Sequence, residues 1–76
     1  MPEFTFEQLY DEIDVLVEED GYVQLPSLEH VETMTDAAVY IKLEGYSDHI
    51  WIPKSVLSVD TDETLFVKEW FYRKEL

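Results

Sequence analysis

Residues 37–53 read Ala37-Ala38-Val39-Tyr40-Ile41-Lys42-Leu43-Glu44-Gly45-Tyr46-Ser47-Asp48-His49-Ile50-Trp51-Ile52-Pro53, and their alternation decides the fold class. Val39, Ile41 and Leu43 fall on one side of an extended chain and Tyr40 and Lys42 on the other, the period-2 pattern of a strand with one buried face. Gly45 to Asp48 supply turn residues, so His49-Ile50-Trp51-Ile52 is expected to fold back as the hairpin partner. Pro53, with no N–H to give a ladder, ends it.

Toward the C-terminus, Lys54-Ser55-Val56-Leu57 reads as one helical turn and Asp60-Thr61-Asp62-Glu63 as a polar loop. Leu65 to Lys68 reads as a last strand and Glu69 to Leu76 as a helix. Toward the N-terminus, Leu28 to Met34 is a strand of less regular alternation, and Tyr22 to Leu25 a short extended piece closed by Pro26. Residues 5–19 switch to a helical period: Phe6, Leu9, Tyr10, Ile13, Leu16 and Val17 recur at three- and four-residue steps. Thr5 stands as N-cap with Gln8 at capping-box spacing, and Asp20-Gly21 as the stop. The expected architecture is a single α+β domain over 1–76. An amphipathic helix at 5–19 packs on a small, bent antiparallel sheet of SH3-like barrel type at 22–68, and a short helix at 69–76 follows. A ferredoxin-like alternation is disfavoured, because the only long helix precedes every strand.

Seventy-six residues bury only about 60% of their unfolded surface, so the core is thin and a homodimer is one way to extend it. Eighteen acids against five bases leave a formal charge of −13, which excludes direct binding to nucleic acid or an anionic membrane. Disorder does not follow, since 46% of the chain is hydrophobic. With no cysteine, packing alone must hold the fold and a reducing compartment is allowed. Met1-Pro2-Glu3-Phe4 begins neither a basic n-region nor an apolar h-region, and no apolar run approaches a membrane span, so a cytoplasmic protein is expected.

At residues 38–76 the sequence resembles a family of very small, largely uncharacterised phage and prophage proteins. The likeness rests on Ala38-Val39-Tyr40-Ile41-Lys42, then Trp51-Ile52-Pro53-Lys54-Ser55, then Glu69-Trp70-Phe71 and Lys74-Glu75-Leu76. It implies phage ancestry, hence a host-cell cytoplasm, and the small barrel; it carries no catalytic residue. The acidic segment in front departs from that pattern.

The charge is uneven. Residues 1–41 hold eleven acids and no Lys or Arg, whereas from Lys42 onward seven acids meet five bases. On a helix spanning 5–19, Glu7, Asp11, Asp14 and Glu18 would form one stripe opposite the apolar face, flanked by Glu12 and Glu19. At about 1.5 Å per residue the charge spacing would be roughly 3 Å, close to that of a single DNA strand. Like charges at three and four residues cost a helix about 0.2–0.5 kcal/mol per pair, and Glu18, Glu19 and Asp20 would face the negative end of its dipole. Rules broken together in a marginal domain mark a functional surface. The expected role is therefore a non-enzymatic, phage-encoded inhibitor that mimics nucleic acid. Its partner would be a basic nucleic-acid-binding host protein or complex of the CRISPR or restriction type. The binding acids would be Glu7, Asp11, Glu12, Asp14, Glu18, Glu19, Asp20, Glu29, Glu32 and Asp36. Tyr10, Tyr22, Tyr40, Tyr46 and Trp51 are candidate anchors, set against ordinary packing. The alternative is a structural or adaptor module that docks through sheet aromatics such as Tyr40, Trp51 or Phe66, with the acid serving solubility.

No cofactor or metal is expected. Asp60-Thr61-Asp62 opens like a calcium loop but lacks its sixth-position glycine and twelfth-position glutamate. His30 with Glu29 and Glu32, or His49 beside Asp48, makes no ligand motif by spacing. Neither a nucleophile elbow nor a glycine-rich phosphate loop is present, so an enzyme is not expected. Lys68, Arg73 and Lys74 gather at the carboxyl end, where Arg73 and Lys74 complement the last helix dipole, and Trp70 and Phe71 are expected to dock that helix.

Overall fold

The computed structural model describes residues 4–76. The elements in order are α1 (Phe6–Glu12), β1 (Asp14–Val15), β2 (Tyr22–Gln24), β3 (Leu28–Met34), β4 (Ala38–Leu43), β5 (Ile50–Pro53), a 3-10 turn (Lys54–Val56), β6 (Leu57–Val59), β7 (Leu65–Lys68) and α2 (Glu69–Glu75). The protein is an α+β domain with a helix at each end of its strands.

The strands form two sheets. One has the order β1-β6-β7-β2, with β1 parallel to β6 and the other pairs antiparallel; the second is the antiparallel meander β3-β4-β5. The expected barrel does not close, and two prolines mark where it opens. Pro26 lies between β2 and β3, where Leu25 N–H donates to the Leu65 carbonyl of one sheet and Glu44 N–H to the Ser27 carbonyl beside the other. A residue without an N–H cannot carry a ladder through that corner, so the chain leaves one sheet and enters the next. Pro53 and the 3-10 turn make the corresponding corner between β5 and β6.

Val39, Ile41 and Leu43 of β4 and Ile52 of β5 are fully buried, as the alternation requires. They join Leu57, Val59, Leu65 and Val67 of the other sheet, Leu9 of α1 and Phe71 of α2 in one hydrophobic cluster. Phe71 docks α2, but its neighbour Trp70 is 57% exposed and does not share that role. Phe66 is buried as well, which removes it from the candidate docking aromatics.

The largest correction falls on the N-terminal helix. Its start is as expected: Gln8 N–H donates to Thr5 Oγ1 at 3.2 Å and Thr5 N–H to Gln8 Oε1 at 2.7 Å, a reciprocal capping box. Its end is not, because the helix stops at Glu12 and Ile13 is already extended (φ −122°, ψ 161°). Ile13, Val15 and Val17 are β-branched residues at alternate positions, and β6 offers an unpaired edge. Asp14–Val15 pairs with Ser58–Val59, and Leu16 N–H donates to the Val59 carbonyl at 2.8 Å. Leaving the helix also separates Asp14 and Glu18 from the like charges that a continued helix would stack above one another. Asp20-Gly21 is consequently not a helix stop. It is a turn, with Gly21 at φ +81° and Tyr22 N–H donating to the Glu19 carbonyl, that starts β2. Leu57, expected to close the helical turn, instead opens β6, which runs on through Ser58 and Val59 with all three residues buried.

Candidate functional site

All ten acids singled out in the sequence are exposed. They do not form one helical stripe; the fold divides them among three places. Glu7, Asp11 and Glu12 lie on α1, and Glu12 accepts a hydrogen bond from Lys54 Nζ at 2.9 Å. Asp14 is on β1, with Glu18, Glu19 and Asp20 in the segment leading to β2. Glu29 and Glu32 are on β3, and Asp36 is in the turn before β4. Spacing changes with the backbone: from Ile13 to Asp20 the chain is not helical, and an extended residue advances about 3.3 Å rather than about 1.5 Å. The near-match to single-strand phosphate spacing therefore does not hold beyond α1.

The segment from Asp14 to Asp20 has its own geometry. Asp14, Glu18 and Asp20 border a hollow of about 490 Å³ together with Val15, Leu16, Val17, Tyr22 and Ser58. Val15 is 64% exposed and Val17 96% exposed, so two aliphatic side chains stand in water among carboxylates. Among the described residues no Lys, Arg or His pairs with Asp14, Glu18, Glu19 or Asp20. β1 is also an edge strand, paired only on its β6 side.

A larger groove of about 670 Å³ is lined by residues of α1, both sheets and their loops, among them Tyr10, Leu28, Glu44, Asp62 and Glu63. Burial lifts the Tyr10 phenol above its ordinary range, and the Glu63 carboxylate adds to the effect. Glu63 holds φ +63°, a left-handed backbone that suits glycine. It occupies the penultimate position of the β6–β7 loop, where Asp60 Oδ1 accepts the N–H groups of Asp62 and Thr64 at 2.9 Å each. That carboxylate oxygen holds the turn in the manner of a loop-forming Asp.

The outer face of the β3-β4-β5 sheet carries the third arrangement. His30 of β3 lies opposite Lys42 of β4, and Tyr40 of β4 opposite Trp51 of β5. Tyr40 stacks on Trp51 with centroids 4.8 Å apart and on His49 at 5.2 Å, and His49 meets His30 edge-on at 5.4 Å. Glu32 Oε2 is 2.8 Å from His30 Nε2 and 3.8 Å from His49 Nε2. Two histidines nineteen positions apart in sequence thus share one carboxylate. Spacing alone did not reveal this group, because hairpin register brings it together. The alternation of β4, extended across the turn to its partner strand, is the signal that could have found it. Lys42, between the two histidines, turns its ammonium toward Glu29 at 3.6 Å.

No protein-family model matches this chain, and no curated protein or solved structure matches it either. Among the described residues no helix is long and apolar enough to cross a membrane.

Proposed function

We propose that this protein is a non-enzymatic binder that offers an acidic surface to a basic nucleic-acid-binding surface of another protein, excluding the nucleic acid. The observation that supports it best is the segment Asp14–Asp20. Four carboxylates without a basic partner among the described residues surround Val15 and Val17, which the fold leaves in water. A surface made only for solubility has no use for an exposed valine on an edge strand and a second just beyond it. A binding surface does: carboxylates take charge-assisted hydrogen bonds from Lys and Arg and speed encounter, while the aliphatic centre is desolvated on docking. Glu7 and Asp11 on α1 extend the negative field. The target in this reading is a host defence complex of the CRISPR or restriction type, met in the host cytoplasm.

The test is capture of partners from host lysate on the immobilised protein, followed by salt-graded elution and competition with duplex DNA or RNA. A charge-driven partner leaves at modest salt and is displaced by the nucleic acid. The triple reversal Asp14→Lys, Glu18→Lys, Asp20→Lys should abolish capture with the fold intact, and retained capture at physiological salt would sink the proposal. The stacked Tyr40–Trp51 pair, with Trp51 49% exposed, favours a second reading as an adaptor docking through this sheet face. In that case Trp51→Ala, and not the reversals, removes the partner, and salt has little effect.

A further inference from the structure

We propose that His30, Glu32 and His49 form a binding site for a divalent transition metal, with Zn²⁺ the best fit to the donor set. The site is separate from the acidic segment and does not depend on its role. His30 Nε2, Glu32 Oε2 and His49 Nε2 all lie within 4.8 Å of one another. Three donors at about 2.0–2.1 Å from a tetrahedral zinc stand about 3.3 Å apart. The observed separations to Glu32, 2.8 Å and 3.8 Å, bracket that value. A tetrahedral ion held by these three donors keeps its fourth position for water.

A second observation points to an ion rather than to a bare hydrogen-bonded pair. His49 Nε2 is shut off from solvent and has no hydrogen-bond partner, the one such side-chain atom among the described residues. His30 and Glu32 satisfy each other at 2.8 Å, and at 3.8 Å from the same oxygen His49 is beyond hydrogen-bond range. Neither protonation state of His49 repairs this, since a lone pair and an N–H are equally stranded there. A cation between the three atoms satisfies the lone pair of each imidazole and the charge of the carboxylate at once. Electrostatics allow it: the nearest ammonium, Lys42, is engaged with Glu29, and the chain as a whole carries −13. Two imidazoles and one carboxylate suit zinc, whereas Mg²⁺ and Ca²⁺ seek oxygen ligands alone. The bound ion would tie β3 to the start of β5 across β4, so the thermal midpoint would rise with Zn²⁺ by mass action.

The experiment is calorimetric titration of Zn²⁺ into the full-length protein after removal of metal by chelation, in millimolar Mg²⁺ to occupy exposed carboxylates. Expected are one equivalent bound and a higher thermal midpoint. His49→Gln and His30→Gln, made separately, should each lower affinity by more than the roughly 10- to 100-fold of a lost second-shell partner. Co²⁺ in place of Zn²⁺ should give the visible absorption of a four- or five-coordinate ion in the parent protein and lose it in both variants. Absence of binding, binding abolished by Mg²⁺, or equal affinity in parent and both variants with unchanged circular dichroism would each overturn the proposal. Asp36→Asn, outside the triad, should leave affinity unchanged, and a loss equal to that of the histidine variants would refute the triad as the site.

Discussion

Leu9→Ala and Val17→Ala, made side by side, test where the first helix ends. On an amphipathic helix running from 5 to 19 the two residues would share one apolar stripe and both truncations would open the core. In the folded protein Leu9 is fully buried as the one buried residue of α1, whereas Val17 is 96% exposed beyond β1. Removing a buried leucine to its Cβ costs about 2–5 kcal/mol, the higher end applying where the site cannot collapse. A chain of 76 residues has about 4–11 kcal/mol of total stability at about 0.05–0.15 kcal/mol per residue, so Leu9→Ala removes a large part of it. Val17→Ala deletes atoms that are already in water and should stay within about 0.5 kcal/mol of the parent. In urea, with a slope near about 1 kcal/mol/M for so small a domain, Leu9→Ala should lower the midpoint by about 2 M or more. Val17→Ala should move it by less than about 0.5 M. A loss at Val17 comparable with that at Leu9 would place Val17 in the core and refute the extended course of the chain after Glu12.

The remaining expectations concern local chemistry. Glu63→Gly relieves a left-handed backbone that costs an L-residue about 1–2 kcal/mol, and glycine returns about 0.5–1 kcal/mol of that as unfolded-state entropy. Urea unfolding should show a variant equal to the parent or up to about 1.5 kcal/mol more stable. A clear loss would mean that the Glu63 side chain makes a contact for which the strain is held. Because burial first, and Glu63 second, raise the folded pKa of Tyr10 above its ordinary 10.0, the unfolded chain releases that proton earlier. The contribution of Tyr10 is therefore full below pH 10 and declines as pH rises from there through the folded value. Tyr10→Phe should lose that part of the alkaline decline, and identical pH profiles for parent and variant would contradict it. Thr5→Ala removes the acceptor for Gln8 N–H and should cost about 1 kcal/mol, read from the same denaturation curves. A change below about 0.3 kcal/mol would show that the α1 start is held by Leu9 packing alone.

Elements whose pattern is local were legible in the sequence. The capping box at Thr5 and Gln8, β3 at Leu28–Met34, the β4 alternation and α2 at Glu69–Glu75 all depend on contacts within a few residues or on one buried face. The acids were legible as exposed for the same reason: an unpaired carboxylate cannot be buried. The helix extent was not, because the steps of Ile13, Leu16 and Val17 fit a helical stripe while Ile13, Val15 and Val17 fit a strand edge equally well.

Sequence by itself therefore determined the buried face of β4, that the chain is α+β, and that its negative charge lies mainly ahead of Lys42. Tertiary structure decided where that charge points. Pairing β1 with β6 gave Asp14 and Val15 a ladder partner distant in sequence, and so turned a supposed stripe into an edge segment with two exposed valines. It also decided the histidine site. His30 and His49 are strangers in sequence and become neighbours only because β3 and β5 flank the same central strand, a contact set by register rather than by spacing.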